Sequence, residues 1–600
     1  MQSNDVYRWW EVEKNNVHKE VFDTSRVLFN NSRDRMDRNL TCLRLYGNMD
    51  LTGIGPSSYT QTVAPSLPEN RVKMNIVSSM VDTSGARISK MKPKVQFLTS
   101  GGDFTSQKQA KQLTKFMLGA FYKNHVHALH QRAFRDAQIF DIGAIKHSIQ
   151  NGEICSERVL PMELLTDPFD SIYGTPRNLY QYKYVSRSHL AAMPQFKDDH
   201  AAIMAARDQL EETIHNDRDI EDFVVVIEAW HLPSGPDADD GRHVIVIGGH
   251  TLLDEPYEKS YFPFTFFRWS KPVIGFFGQS LAERLTSLQI EINKMLRIIQ
   301  RSFHLGSAFK VFLEYGSKVS KEHLNNDIGS IVYYMGKAPT YYVPQTIHPE
   351  FFTHLKFLVE QAYAEAGISQ TSASSKLPSG IDGASGRAVR EYNNIETERF
   401  ALVSQEFEAS FLETAKQYVD LAYDISKDGG NFKVVAQSKT FVEEIEWSKV
   451  APADKNSYIM QMFPTSLLPH EPAGRLAFIQ ELITSQMIPA SFGLELLEFP
   501  DLESYLSLKN ASVEDFMATL ERLIDGEYEA PEPFQDLAEG IKFFQSAYLR
   551  ARREKVPEQG LDNLRRWIAT ADVMQQKAQQ AQMQAQAQAQ PQPAPSSAQS

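Results

Sequence analysis

The most regular hydrophobic pattern in the chain lies in Gln279–Leu305, a stretch that contains neither Gly nor Pro. Apolar side chains recur there at alternating steps of four and three residues, namely at Leu281, Leu285, Leu288, Ile292, Met295 and Ile299. This spacing predicts a long helix with a heptad seam. Ile290, Leu296 and Ile298 lie off the seam, so more than one face is apolar. The helix would be about 40 Å long at about 1.5 Å per residue.

A second Gly- and Pro-free stretch, Glu350–Ala366, predicts another helix after an insert at 306–349. The insert has β-like runs at Lys310–Glu314 and Ser330–Tyr334, separated by turn residues. Helix, small β-rich insert and helix together predict a hairpin-like stalk that carries a tip. Gly367–Arg387 is rich in Ser and Gly, which is typical of a mobile loop. A third long helix is predicted over Ala388–Ser426.

The pattern before the stalk mixes helical and strand periods. It predicts helices at Val72–Met91, Ser106–Gln138 and Ser188–Asn216, and strands at Val95–Leu98, Ala144–Gln150, Ile154–Leu160, Phe223–Leu232, His243–Leu253 and Tyr261–Trp269. Asn151-Gly152 between two of these strands is a strong hairpin signal. Residues 70–275 are therefore predicted to form a mixed α+β domain, preceded by a mostly helical arm.

The pattern after the third long helix predicts two strands, Asn431–Gln437 and Phe441–Trp447, and then a helical region punctuated by prolines. Its last helices are predicted at Leu537–Glu554 and Leu561–Gln580. The chain ends in a Gln/Ala-rich and then Pro/Ser-rich segment, whose low complexity predicts little folded structure beyond a helix where Ala is frequent.

Composition narrows the protein class. Six hundred residues, 42% hydrophobic and 23% charged, indicate a soluble protein with several domains. The sequence contains no run of 18 apolar residues that would predict a membrane span. Its N-terminus as given lacks the apolar segment of a signal sequence. Cys42 and Cys155 are the only cysteines, too few for a disulfide framework or a cysteine metal site. The net charge of −13 argues against a protein that grips nucleic acid over a broad basic face.

Motifs that would carry catalysis are missing from the sequence. Gly336-Lys337 lacks the remainder of a phosphate loop, and no GxSxG occurs. His125, His127 and His130 are closely spaced, but without acidic or Cys partners nearby they are interpreted as surface histidines rather than a metal site. A basic cluster is interpreted as a solvated helix face, with nucleic-acid binding as the alternative. It comprises Arg550, Arg552, Arg553, Lys555, Arg565 and Arg566.

The order of elements resembles the portal proteins of tailed bacteriophages, most of all those of short-tailed phages. Four pieces carry the resemblance: NRVKMNIVSSMVD, DIGAIKHSIQNGEICSERVLPMELLTDP, GQSLAERLTSLQIEINKMLRIIQ and SGIDGASGRAVREYNNIE. Each piece is weak alone, whereas their order and spacing over residues 70–510 are more specific. The resemblance implies an α+β, predominantly helical portal fold with wing, stem, clip and crown, assembled as a ring of usually twelve subunits.

The resemblance also implies a division of the chain and places for candidate residues. The parts are an N-terminal arm (1–69), wing (70–275), first stem helix (276–305), clip (306–349), second stem helix (350–366), channel loop (367–387), a long helix returning to the wing (388–454), crown (455–570) and low-complexity tail (571–600). Channel-facing candidates are Lys376, Ser379, Gly380, Arg387 and Arg390. The heptad seam residues are the stem-packing candidates, and Lys310, Glu314, Lys318, Lys321 and Glu322 are the clip candidates for motor docking.

A portal would be assembled in the host cytoplasm and would sit at one capsid vertex of the virion. Its implied partners are the other subunits, capsid and scaffolding proteins, the terminase packaging motor, tail or adaptor proteins, and double-stranded DNA without sequence specificity. No enzymatic activity, cofactor, metal or membrane is expected. The sequence leaves two alternatives: a large cytoplasmic helical scaffold or adaptor without a channel, and an enzyme whose site is assembled from scattered Asp, Glu and His residues.

Overall fold

A computed structural model of the chain describes residues 8–48, 72–89, 93–99, 104–206, 222–307, 310–312, 315, 340–342, 348–368, 400–430, 432–437, 442–451, 458–463, 479–480, 483–485, 487, 511–553 and 556–588. Over these residues the fold is mixed α+β and predominantly helical, as predicted. The contacts divide the chain into two compact units, residues 1–89 with 124–421 and residues 90–123 with 422–600.

The helices of the described ranges are α1 (Val17–Asn31), α2 (Arg33–Tyr46), α3 (Ile76–Ser89), α4 (Phe104–Lys123), α5 (Val126–Ile139), α6 (Arg187–Ala192), α7 (His200–Ala205), α8 (Leu281–Ser307), α9 (Glu350–Ala366), α10 (Ala401–Lys427), α11 (Trp447–Val450), α12 (Ala511–Ile524), α13 (Leu537–Arg553) and α14 (Glu558–Gln588). None of these helices is long and apolar enough to cross a membrane.

The strands of the described ranges are β1 (Lys94–Thr99), β2 (Gly143–Gln150), β3 (Glu153–Val159), β4 (Leu164–Leu165), β5 (Asn178–Ser186), β6 (Phe223–His231), β7 (Arg242–Ile247), β8 (His250–Pro256), β9 (Phe264–Phe267), β10 (Lys310–Phe312), β11 (Thr340–Tyr342), β12 (Lys433–Gln437), β13 (Val442–Glu446) and β14 (Tyr458–Phe463).

The core of the first unit is a five-stranded antiparallel sheet in the order β4-β5-β6-β7-β8. Both faces of the sheet are covered, which explains the continuous apolar run of β6. Val225 and Ile227 pack with α1 on one face, and Val224 packs with α6 and α7 on the other. Trp9, which is fully buried, joins the first cluster. Residues 8–48, predicted as a separate arm, therefore form part of this core.

A second sheet in the order β3-β2-β9 contains the predicted hairpin. Asn151 and Gly152 form its turn with φ of 54° and 76°. Two successive left-handed residues are what a two-residue hairpin turn requires, and Asn-Gly adopts them at little cost. The hairpin prediction is confirmed.

Residues of the second unit form two smaller sheets and a helical bundle. β1 pairs with β14, and β12 pairs with β13. Helix α4 packs on both sheets, with Phe116 against Phe432 and Trp447 at ring-centroid distances of 5.8 and 5.0 Å. Helices α12, α13 and α14 enclose a separate cluster around Phe516, Phe544 and Trp567.

Three predicted elements are wrong in extent. The single helix Ser106–Gln138 is two helices, because His125 has left-handed φ of 50° between α4 and α5. The predicted strand His243–Leu253 is the hairpin β7–β8, turned at Gly249 with φ of 92°. The described part of the predicted helix Ser188–Asn216 is α6 and α7 with a 3-10 turn beginning at Pro194, since proline interrupts helical hydrogen bonding.

The compact units also cut across the predicted nine-part division. Residues 94–123, predicted to lie in the wing with the rest of 70–275, group with the C-terminal half. Residues 433–450, predicted to return to the wing, belong to the same C-terminal unit. The portal names for these parts stay predictions.

Candidate functional site

Helices α8 and α9 pack against each other, and the insert between them begins and ends in paired strands. β10 and β11 are antiparallel, with Lys310 opposite Tyr342 and Phe312 opposite Thr340. The described part of the chain therefore contains a helix–strand–strand–helix hairpin, here called the stalk. β10 lies within the predicted strand Lys310–Glu314, whereas β11 was not predicted, and the predicted strand Ser330–Tyr334 lies outside the described residues. The boundaries of α9, Glu350–Ala366, are those predicted from the sequence.

The heptad seam of α8 is filled within the chain itself. Leu281, Leu285, Ile292, Met295 and Ile299 are all buried, and Leu288 is half-buried. The helix packs against α2, α3, α5 and α9 of the same unit. The stem-packing candidates thus pack within a single chain.

The stalk also carries exposed apolar side chains, which together are here called the stalk face. It consists of Ile298, Phe303, Phe312, Tyr315, Phe351, Phe352 and Phe357, whose exposed fractions run from 38% at Phe351 to full exposure at Tyr315. Phe303 and Phe352 contact each other at a ring-centroid distance of 6.1 Å, which joins α8 to α9. Large exposed apolar patches on soluble proteins mark interaction sites.

Polar residues of α8 hold the segment that leads into α3. Gln289 Oε1 accepts hydrogen bonds from the backbone N–H groups of Ile76 at 2.8 Å and Val77 at 3.3 Å, and its Nε2 donates to the carbonyl of Met74. Gln300 accepts from Val72 N at 3.0 Å. Gln289 therefore caps the N-terminus of α3, a role usually filled by a residue just before the helix.

We expect Gln289→Leu to lower the free energy of opening of α3 by about 2–3 kcal/mol, because it leaves two backbone donors unpaired in a buried position. Amide hydrogen exchange of peptides from Ile76–Ser89 measures this. Gln300→Leu is the matched control: it removes one bond in an exposed position and should change exchange by less than about 1 kcal/mol. Equal effects of the two variants would contradict the capping role of Gln289.

A continuous chain of hydrogen-bonded polar side chains lies in the first unit, and all its members are buried except the half-buried Ser156. His130 contacts Ser410 Oγ at 3.2 Å and Thr414 Oγ1 at 3.1 Å. Thr414 Oγ1 lies 2.9 Å from Thr265 Oγ1, which lies 3.0 Å from His147 Nε2. The chain ends through Ser156 at Tyr418, with oxygen–oxygen distance 2.7 Å. We call it the histidine network; it connects α5, α10 and the three-stranded sheet.

Both imidazoles of the histidine network are fully buried, so the interpretation of His130 as a surface histidine is wrong. Burial lowers the pKa of His147 to about 3. Burial, with smaller contributions from His147 and His127, lowers the pKa of His130 well below its usual value. The neutral rings serve as donor and acceptor between hydroxyl groups, which couples helix to sheet.

Ser156 Oγ and His147 Nδ1 are 2.8 Å apart, the separation of a nucleophile and its base. The other ring nitrogen contacts the hydroxyl of Thr265 rather than a carboxylate, and the ring has no exposure to solvent. The orienting acid that completes a hydrolytic triad is absent from these contacts. Across the described ranges, no three His, Cys, Asp or Glu residues are arranged to hold a metal ion.

The basic cluster near the C-terminus is partly neutralised by its own unit. Arg565 pairs with Glu558 at 2.8 Å and with Asp562 at 2.5 Å, and Arg566 lies 4.2 Å from the centroid of the Tyr528 ring. The last turn of α13 contains Arg550, Arg552 and Arg553, whose positive charges interact favourably with the negative end of the helix dipole. These contacts favour the solvated-face interpretation over nucleic-acid binding. Lys555 lies outside the described residues.

Most of the other candidate residues also lie outside the described residues: Lys376, Ser379, Gly380, Arg387, Arg390, Glu314, Lys318, Lys321 and Glu322. Lys310 is the first residue of β10. Sequence reasoning missed the histidine network and the cap at Gln289. The one available signal was that Gln289, a polar residue, lies next to the apolar seam of α8.

Neither a protein-family model nor a curated protein matches the sequence.

Proposed function

We propose that this chain is the subunit of a phage portal, a ring around a channel at one capsid vertex through which double-stranded DNA is packaged and later ejected. The clip would receive the packaging motor and, after packaging, the tail proteins. The ring itself would hydrolyse nothing. Capsid and scaffolding proteins would contact its outside.

The observation that carries the proposal is the stalk: a hairpin of two helices whose seam is buried within the chain and which also carries the exposed apolar side chains of the stalk face. A monomeric adaptor has no need for such a surface on a stalk, whereas a closed ring buries it by repeating one heterologous contact between neighbouring copies. The net charge of −13 suits a channel for DNA, because few cations then trap phosphates by counterion release.

We expect the purified full-length protein to form a ring with a mass near twelve times 68.1 kDa and a central hole wide enough for a DNA duplex. Light scattering after size exclusion gives the mass, and negative-stain images give the shape. The control for nonspecific aggregation is to dilute the protein into stepwise higher salt and measure its mass again, because a nonspecific aggregate has no defined mass. A monomer or dimer, or a ring with a closed centre, would contradict the proposal and favour the scaffold alternative.

A further inference from the structure

Two neighbouring loops of the first unit carry a second group of exposed apolar side chains. Its exposed side chains are Phe169 (84%), Tyr173 (93%), Val273 (100%) and Ile274 (73%), with Ile172 at 39%. We call these five residues the knob. Two aromatic rings at about 150–250 Å² each already approach the largest apolar patch of an ordinary monomer.

Hydrogen bonds give the knob a fixed shape. The N–H of Gly275 donates to the carbonyl of Ile172 at 2.9 Å, which ties the two loops together. Asp167 Oδ1 accepts from Phe169 N at 2.7 Å, and Asp170 Oδ2 accepts from Arg177 N at 2.8 Å. A preorganised apolar surface binds a partner with less loss of conformational entropy than a loose loop does.

A half-open groove of about 450 Å³ lies elsewhere in the same unit, between α2, α5 and β5. Its apolar lining is Leu43, Tyr46, Ile139, Phe140, Leu160, Met162, Tyr182 and Tyr184. We call it the groove. It also has three exposed cations, Arg135, Arg158 and Lys183; Arg158 pairs with Asp136, and Lys183 pairs with Glu157 at 3.2 Å. Its volume and lining suit an aromatic side chain presented by another surface.

The knob and the groove lie at opposite ends of β5. The knob loop ends just before Asn178, the first residue of β5, whereas Tyr182 and Tyr184 are in its second half. Six residues of strand separate Asn178 from Tyr184, about 20 Å at about 3.3 Å per residue. Since β5 is hydrogen-bonded to β6 over its whole length and stays extended, the knob does not reach the groove of its own chain.

We propose that the knob of one copy of this chain seats in the groove of the next copy. Two different surfaces on opposite ends of one strand make a heterologous contact, the kind that closes into a ring when repeated. Charge favours this occupant: the exposed charges of the groove are the cations Arg135, Arg158 and Lys183, whereas its carboxylates Asp136 and Glu163 are buried and half-buried, and Asp167 and Asp170 lie in the knob loop. The inference rests on the proposed ring and names a second contact in it, separate from the stalk face.

The contact is tested with a photo-crosslinking phenylalanine analogue at Tyr173 in the full-length protein. Equal amounts of 15N-labelled and unlabelled protein are mixed before assembly, so mass spectrometry separates crosslinks between copies from those within one. We expect crosslinks between copies to peptides that contain Leu160–Met162 or Tyr182–Tyr184. The same analogue at Phe534, 98% exposed in the second unit, is the control and should not label the groove.

Crosslinks from Tyr173 to another surface, or to the groove or any other segment of its own copy, overturn the knob–groove contact. A second test is the variant Phe169→Ser/Tyr173→Ser, which should shift the ring-to-monomer midpoint at least tenfold in concentration with unchanged circular dichroism. Phe534→Ser is its matched control. An unchanged midpoint also overturns the inference.

The two proposals fail in distinguishable ways. Wild-type rings with crosslinks outside the groove leave the portal proposal standing and refute the knob–groove contact. Groove crosslinks between copies of a protein that forms only dimers or open chains support the contact and refute the portal. A monomer without crosslinks between copies refutes both.

Discussion

Replacing both Ile298 and Phe357 with Asp is expected to abolish ring assembly while leaving the chain folded. Ile298 is 49% and Phe357 56% exposed in the single chain, so the carboxylates stay hydrated in the monomer. In a ring that buries the stalk face, each unpaired charge costs several kcal/mol, and every 1.4 kcal/mol weakens association about tenfold. Light scattering should give the mass of a monomer, and circular dichroism an unchanged helix content.

Two controls separate assembly from folding. Met517→Asp places the same charge on α12, at a side chain with 54% exposure in the second unit, and should leave the ring mass unchanged. Ile292→Asp should instead unfold the first unit, because this seam side chain is fully buried among helices of its own chain. Rings of normal mass from the Ile298/Phe357 variant would remove the stalk face from the subunit contact.

The contrast between Ile292 and Ile298 shows what the sequence could and could not predict. Periodicity predicted the helix and its seam, because both depend on residues three and four apart. It could not say whether the seam packs within a chain or between chains, since both environments select the same apolar residues. The burial of Ile292 within one chain answers that question for the seam.

Elements with local signals were predicted well, and partnerships between distant segments were not. Asn151-Gly152 fixes a turn by its own backbone preferences, and α9 lies in a stretch free of Gly and Pro. By contrast, β1 pairs with β14 more than three hundred residues away, and no local property of either strand encodes that pairing. The break at His125 was missed because a single left-handed residue other than Gly leaves little trace in a helical pattern.

The histidine network is the clearest case of a site hidden from sequence reasoning. His130 meets Ser410 and Thr414 across 280 and 284 residues of sequence. Ser and Thr are common on helices, and a His among apolar residues has no distinctive spacing. Only the packing of α10 against the sheet brings these groups together and links the two imidazoles through the hydroxyl groups of Thr414 and Thr265.

The histidine network also makes the first unit sensitive to acid. Both imidazoles are neutral in the folded state, with pKa values lowered by burial, whereas an unfolded His titrates near 6.5. The unfolded chain therefore binds more protons below pH 6.5, and stability falls as the pH falls from there toward the folded pKa. The slope is about 1.4 kcal/mol per pH unit for each His. Because an unfolded His is only half protonated at pH 6.5, the two together cost about 3 kcal/mol between pH 6.5 and 5.0.

Other buried groups also contribute to the pH dependence, and burial, which raises the pKa of Glu163, acts in the opposite direction by adding stability as the pH falls. The pKa of His243 is raised by Glu228 and Glu255 against the effect of burial, so its contribution is fully present below pH 6.5 and is lost as the pH rises. Glu228 has a pKa lowered to about 2, chiefly by Lys146 acting against burial, so its contribution is lost only in stronger acid. His231, with a pKa lowered by burial, destabilises the fold in acid as the network does.

His147→Gln should therefore flatten the acid dependence of the first unit by about one proton, roughly 2 kcal/mol between pH 6.5 and 5.0. The amide cannot be protonated in this range, although its poorer fit to Ser156 and Thr265 lowers stability at every pH. Hydrogen exchange of peptides from α10, corrected for the intrinsic pH dependence, measures the opening free energy at both pH values. His125→Gln, at an exposed histidine, is the matched control and should leave the slope unchanged. If the opening free energy of His147→Gln fell with pH as steeply as that of the wild type, His147 would already bind a proton in the folded protein. That result would contradict the neutral state of the imidazoles in the histidine network.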